Sequence, residues 1–215
     1  MSVPAALVRR KYPGLNLDHD DARAQQDAES VMFGFWVFVM SDAVLFALLL
    51  SVYETLMTHT AGGPSGSDLF KMKSAFLETV TLLMSSFVYG LCTLAVKYRA
   101  KRIYLYSALG ATLALGLIFL GLEVHDFMVL GAQGAVPQRS AFLSAFYTLV
   151  ATHFVHVFIG CLWIVVMLIQ VRVFGLSEQV RTRLLRLGIF WHFLDVIWVL
   201  IFSFVYLQGM IPWPT

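Results

Sequence analysis

Among the ionisable side chains inside the long apolar stretches of this 215-residue chain are Asp42, Glu78, Glu123, His153, His156, His192 and Asp195. An ionisable residue in hydrocarbon costs at least ~2.5–3.5 kcal/mol on insertion scales, so such residues usually face a bundle interior, a wet cavity or a partner protein. His153 and His156 are three positions apart, as are His192 and Asp195, which puts each pair on one face of a helix. Carboxylates and imidazoles placed in this way can hydrogen-bond between helices and fix their register. The same residue types can also pass protons or ions, or ligate a metal or haem.

Depth along the apolar stretches separates two groups. Asp42, His153, His156, His192 and Asp195 fall near the middle to inner half, while Glu78 and Glu123 fall toward the outer ends of their segments, with His125 and Asp126 close by. Bis-histidine haem ligation needs one His from each of two facing helices at matched depth. His153 or His156 with His192 could meet that, but no second pair exists, and Asp195 offers a nearby imidazole another partner. No His, Cys and carboxylate set has the spacing of a metal site, and there is no Ser/His/Asp arrangement, phosphate loop or dinucleotide fingerprint. Cys92 and Cys161 both lie in apolar segments and read as small buried side chains.

The elements that must position these groups follow from composition. Hydrophobic residues make up 59% of the chain and charged ones 13%, against roughly 25% charged in a soluble domain. A bilayer core of about 30 Å takes roughly 20 apolar residues in helical form. Five segments qualify, at about 31–57, 74–97, 103–130, 142–171 and 184–210, so the expected fold is an all-α bundle of five transmembrane helices. The remaining domain is residues 1–30, a polar tail with Pro4, Pro13 and Gly14, and without the apolar core of a cleavable signal peptide; the first span is expected to direct insertion itself. With the N-terminus inside, twelve of the fifteen Lys and Arg residues fall on inner segments and only Lys71, Lys73 and Arg139 on outer ones. That asymmetry places the N-terminus in the cytoplasm and the C-terminus in the periplasm, and it is a topology signal with no likeness to a nucleic-acid footprint.

Short connections at 97–102 and 131–141 make helices two and three, and three and four, antiparallel neighbours. The segment Ala61-Gly62-Gly63-Pro64-Ser65-Gly66 marks an irregular outer loop. Gly110 and Ala114, with Ser85, Ser86 and Gly90, are small enough to allow close helix crossings. Trp213 between Pro212 and Pro214 reads as an interfacial anchor.

Three of these stretches carry a family resemblance. Trp191-His192-Phe193-Leu194-Asp195-Val196-Ile197-Trp198 closely resembles the WHFxDxxW signature in the last helix of subunit III of haem-copper terminal oxidases. Thr152-His153-Phe154-Val155-His156 is similar to the family's pattern on the preceding helix, and Ser41-Asp42-Ala43-Val44-Leu45-Phe46 to its early-helix acid motif, in which the acid is Glu in many cytochrome c oxidases and Asp in quinol oxidases. Glu123 after Gly121 and Leu122, and the Ala61-Gly62-Gly63-Pro64 loop, extend the resemblance over roughly residues 31–210. It implies the five-helix form found in bacterial bo-type ubiquinol oxidases: a non-catalytic accessory subunit of a proton-pumping respiratory oxidase in the bacterial inner membrane. By the same resemblance this chain has no redox centre of its own. The haems and copper belong to its direct partner, subunit I, and subunits II and IV complete the complex. Structural phospholipid is expected in a cleft between the first two helices and the other three, and the acid at the Asp42 position is reactive in some relatives. Subunit III of a cytochrome c oxidase, an accessory protein of a nitric oxide reductase, and an independent transporter using the buried carboxylates are the alternatives; absence of an internal repeat and of mid-span proline weighs against the transporter.

Overall fold

The structure is a computed structural model that describes residues 22–62, 72–98 and 102–209. The chain folds as α1 (Ala22–Leu56), α2 (Met72–Lys97), α3 (Arg102–Ala132), a single 3₁₀ turn (Pro137–Arg139), α4 (Ala141–Phe174) and α5 (Glu178–Ile201), the last prolonged by a π-helical turn, Phe202–Leu207. Among the described residues there is no β-strand, and five helical stretches are long and apolar enough to cross a membrane: Ser30–Leu56, Met72–Lys97, Arg102–Ala132, Ala141–Phe174 and Glu178–Leu207. The shortest of these has 26 residues, about 39 Å at 1.5 Å per residue, which exceeds the hydrocarbon thickness. α1 begins at Ala22, inside the stretch read from sequence as the polar tail; the rest of that tail, the Gly63–Gly66 part of the outer loop and Trp213 lie outside the described residues.

Helices α2 to α5 close a ring in which α2 packs on α3, α3 on α4, α4 on α5 and α5 back on α2, and α1 lies outside it against α4 and α5. The expected division of the first two helices from the other three is therefore not what forms. α2 is held in the ring by α3 and α5, because its polar and small residues (Thr79, Ser85, Ser86) face α5, while α1 spends most of its surface on the outside. Its exposed residues are mostly apolar, Phe33, Val37, Met40, Val44 and Leu48 among them, as suits a lipid-facing helix.

Helix ends follow local rules. Ser140 caps α4 by accepting from the Leu143 N–H at 3.2 Å, and Ser177 caps α5 through the Val180 N–H. Between α4 and α5 the chain reverses at Gly175, whose φ of 65° is left-handed, and the Arg102 guanidinium lies 3.3 Å from where a Cβ on Gly175 would stand. In the α3–α4 connection the Tyr147 hydroxyl donates to the Ala135 carbonyl at 2.9 Å.

Close crossings occur at other glycines than the sequence suggested. Gly110 and Gly90 have open space where a Cβ would stand, whereas a Cβ on Gly116 of α3 would lie 2.9 Å from Cys161 Sγ and 3.0 Å from the Trp191 ring, and one on Gly160 of α4 would lie 2.8 Å from the same ring. Trp191 of α5 fills the gap these two glycines leave, and its indole N–H donates to Ser85 Oγ of α2 at 2.8 Å. Thus one side chain touches all four ring helices. The crossing of α5 with α2 depends on Gly188, where a Cβ would meet Tyr89 Cε1 at 2.8 Å. Both free cysteines are buried in this packing, as read from the sequence.

Because the hydrogen bond to Ser85 pins the indole, Trp191 has little room to retreat. Gly160→Ala is therefore expected to destabilise the bundle by about 1–3 kcal/mol, the usual range for overpacking, and Gly110→Ala to be neutral. Thermal unfolding of the two variants side by side in detergent checks this; equal melting temperatures would contradict the assignment of the tight crossing.

Candidate functional site

The five residues assigned to the inner group do not form one network. They divide into three interhelical contacts, each joining a different pair of helices. Asp42 of α1 faces His156 of α4, with Oδ2 3.7 Å from Nε2. The other imidazole nitrogen, Nδ1, is 2.7 Å from the Thr152 carbonyl one turn back, so it is the donor there. That fixes the ring and leaves Nε2 toward the carboxyl, a contact that attracts only when a proton is held between the two groups. Phe46, one turn on from Asp42, sets its ring edge-on against His156 at 5.2 Å and so shields the contact on one side.

His153 is wholly buried, and its Nε2 donates to the Leu194 carbonyl of α5 at 3.1 Å. Its ring lies 5.1 Å from Trp198 and 5.8 Å, edge-on, from Phe119. This imidazole is a bolt between α4 and α5 in an aromatic sleeve. His192 and Asp195 turn the other way. Ser86 Oγ of α2 is 2.6 Å from His192 Nδ1 and also within reach of the Asp195 carboxyl, so a single hydroxyl joins both members of the α5 pair to α2. Asp195 is buried, whereas His192 opens onto the side of the bundle beside Tyr89.

The second group is placed at the opposite end of the ring from the α4–α5 turn. Glu78 of α2 and Glu123 of α3 are 0% and 1% exposed; Asp126 of α3 acts electrostatically on both, and Glu78 on Glu123. Tyr206, carried by the π-helical turn of α5, lies within electrostatic reach of both glutamates, of Asp126 and of Tyr53 of α1. π-turns shift the register of one side chain relative to the helix before it, and here Tyr206 is the side chain so shifted. Sequence reading found the two acids by their apolar context but not the two tyrosines, since a tyrosine in a membrane helix is ordinary and the π-turn has no sequence mark.

Two further contacts were also missed. The Trp198 indole donates to Thr79 Oγ1 at 3.1 Å, and the Tyr89 hydroxyl to the Leu184 carbonyl at 2.8 Å, both between α2 and α5. Trp191 and Trp198 are seven positions apart, two turns of helix, and α2 presents hydroxyls at Thr79, Ser85 and Ser86. Indoles seven positions apart on α5, set against hydroxyls six apart on α2, were the available signal. Among the described residues, no group of three or more His, Cys, Asp or Glu side chains is arranged to hold a metal ion.

Fold and polar contacts together define a multi-span helical membrane protein with buried imidazoles and carboxyls placed between its helices. Residues 18–210 match the family model described as cytochrome c oxidase subunit III, and the chain belongs to that family. It is 45% identical over 205 residues to the cytochrome bo(3) ubiquinol oxidase subunit 3 of Pseudomonas aeruginosa, an alignment covering 95% of this chain and 98% of that protein. The corresponding subunit of Buchnera aphidicola subsp. Acyrthosiphon pisum is 38% identical, with 95% of this chain and all of that protein covered. The cytochrome c oxidase subunit 3 of Bacillus sp. (strain PS3) is 39% identical, with 89% and 92% covered.

The indole–hydroxyl pairs yield a quantitative expectation. In a double-mutant cycle of Ser85→Ala and Trp191→Phe, the coupling is expected at about 0.5–1.5 kcal/mol, typical of hydrogen bonds within membrane bundles. Reversible unfolding in mixed micelles measures it; a coupling of zero would mean that ring packing alone positions Trp191.

Proposed function

We propose that this chain is the non-catalytic accessory subunit of a respiratory ubiquinol oxidase, which couples quinol oxidation to reduction of oxygen to water and pumps protons across the bacterial inner membrane. The observation that carries this reading is the near end-to-end correspondence with a bo(3) ubiquinol oxidase subunit 3 at 45% identity. The subunit stabilises catalytic subunit I, its direct partner, in a complex with subunits II and IV, and holds structural phospholipid against its apolar outer helices. The haems and copper are assigned to subunit I. This is supported by the way this chain's own imidazoles are used: His153 on the Leu194 carbonyl, His156 between Thr152 and Asp42, and His192 on Ser86.

The N-terminus is assigned to the cytoplasm and the C-terminus to the periplasm. Twelve of fifteen basic residues support it. So does the gathering at one end of the ring of Arg102 against Gly175 and of Arg183 with Gln170, where the α2–α3 and α4–α5 connections meet. The 39% identity to a cytochrome c oxidase subunit 3 favours a second reading, in which the complex takes its electrons from cytochrome c.

A tag on the N-terminus and purification in mild detergent test the assignment. Haem and quinol-driven oxygen uptake are expected to co-purify, and the haem to stay with the remainder when this chain is stripped away. Uptake driven by reduced cytochrome c but not by quinol would establish the second reading. A colourless chain eluting without an oxidase would overturn both and favour transport through the buried carboxylates. Asp195→Leu removes the carboxyl partner of Ser86 and is expected to loosen the subunit from the complex while leaving the haem spectrum unchanged. Native gels read that loss, and an unaltered assembly profile would count against it.

A further inference from the structure

Glu78 and Glu123 are not used by any of the three contacts that join α1, α2, α4 and α5, and their surroundings are unlike those of the other buried groups. Glu78 is 0% exposed and neither of its carboxyl oxygens has a hydrogen-bond partner; Oε2 of Glu123 is likewise unpartnered. Among the described residues, the charges acting on the pair are carboxylates: Asp126 on Glu78, and Glu78 and Asp126 on Glu123. Buried anions within electrostatic reach of one another, with a third nearby, repel strongly in a medium of low dielectric. One proton held between them removes most of that repulsion and turns an acceptor pair into a donor–acceptor pair.

An independent observation points into the same place. The Tyr53 hydroxyl of α1 is also 0% exposed and without a partner, and it lies within electrostatic reach of Tyr206, which is within the same reach of both glutamates. Unpartnered buried hydroxyl and carboxyl oxygens converging from different helices are what an internal water satisfies. The groups facing the pair from each element are then Tyr53 and, next to it, Glu54 of α1, Asp126 of α3 and Tyr206 of α5; Gln208 closes the edge by donating to Glu54 at 3.1 Å. Access is one-sided. The Asp126 side chain is 25% exposed and pairs at 3.4 Å with His125, which is 67% exposed.

We propose that Glu78 and Glu123 form a buried acid pair that binds one exchangeable proton together with internal water bridging to Tyr206 and Tyr53, and that the proton enters and leaves through Asp126 and His125. The site is a proton-holding site at the end of the bundle remote from the basic connections. It rests on side-chain geometry and is independent of which electron donor the complex uses.

Infrared spectroscopy of the full chain, in whatever assembly it purifies, tests this without an activity readout. The wild type is expected to show a protonated-carboxyl C=O band that moves to lower frequency in D₂O. That band is lost in the double variant Glu78→Gln/Glu123→Gln, and each single substitution displaces or removes it. Should the double variant fail to assemble, the two isosteric single variants carry the test through that displacement. Asp126→Asn is expected to keep the band but slow its exchange severalfold after mixing with D₂O. A double-variant spectrum superimposable on the wild type in this region would overturn the pair. Loss of the band in one single variant with no displacement in the other would overturn the sharing. Exchange unchanged in Asp126→Asn would overturn the entry route.

Discussion

Trp191 is the piece on which the ring of helices depends. It belongs to α5, rests in the space vacated by Gly116 of α3 and Gly160 of α4, and donates its indole hydrogen to Ser85 of α2. In a bilayer there is no hydrophobic force to press helices together, so association relies on close packing and on hydrogen bonds that lipid cannot replace. A large aromatic plug in a socket of glycines supplies the first, and its single polar atom supplies the second. Seven residues along, Trp198 repeats the scheme with Thr79, tilted against His153 and edge-on to Phe119. The middle of the bundle is thus built around these two indoles.

The ionisable groups make sense in that setting. Each of the three inner contacts joins a pair of helices by one side chain whose partner is already on another helix: Asp42 with His156, His153 with a backbone carbonyl, and Ser86 with the His192 and Asp195 pair. A polar group that finds its partner only in the correct register penalises every other register. Apolar packing alone, with so many interchangeable Leu, Val and Phe side chains, would tolerate rotations that these contacts do not.

Much of this was legible in the sequence. Five apolar stretches, two short connections and the acids and histidines buried within them follow from composition and spacing, because lipid leaves a chain few choices. What stayed hidden was which helix faces which. His192 and Asp195 share a face, but nothing in the sequence says that the face looks at Ser86 on α2, away from Asp42 and His156. Gly110 carried the recognised small-residue spacing and meets open space, while Gly116 and Gly160 do the packing, since a glycine matters only where a bulky partner arrives from a distant segment. The place of α1 outside the ring is of the same kind. The hydrophobicity of α1 is like that of the others, and its separation from α2 is set by α2's preference for the hydroxyl-matched face of α5.

That placement of α1 bears on how the chain is made. α1 leaves the ribosome first, yet the two helices it rests on, α4 and α5, end at Phe174 and Ile201. At roughly 5–20 residues per second, α1 waits in the membrane for several seconds to tens of seconds with no seat to occupy. Meanwhile α2 and α3 can pair at once. α1 therefore has no seat until α4 has been made, and Asp42 crosses that interval without His156. During synthesis its carboxyl must be accommodated by lipid headgroups, water or the insertion machinery, so the burden this acid places on the cell falls on biogenesis before it falls on the finished protein.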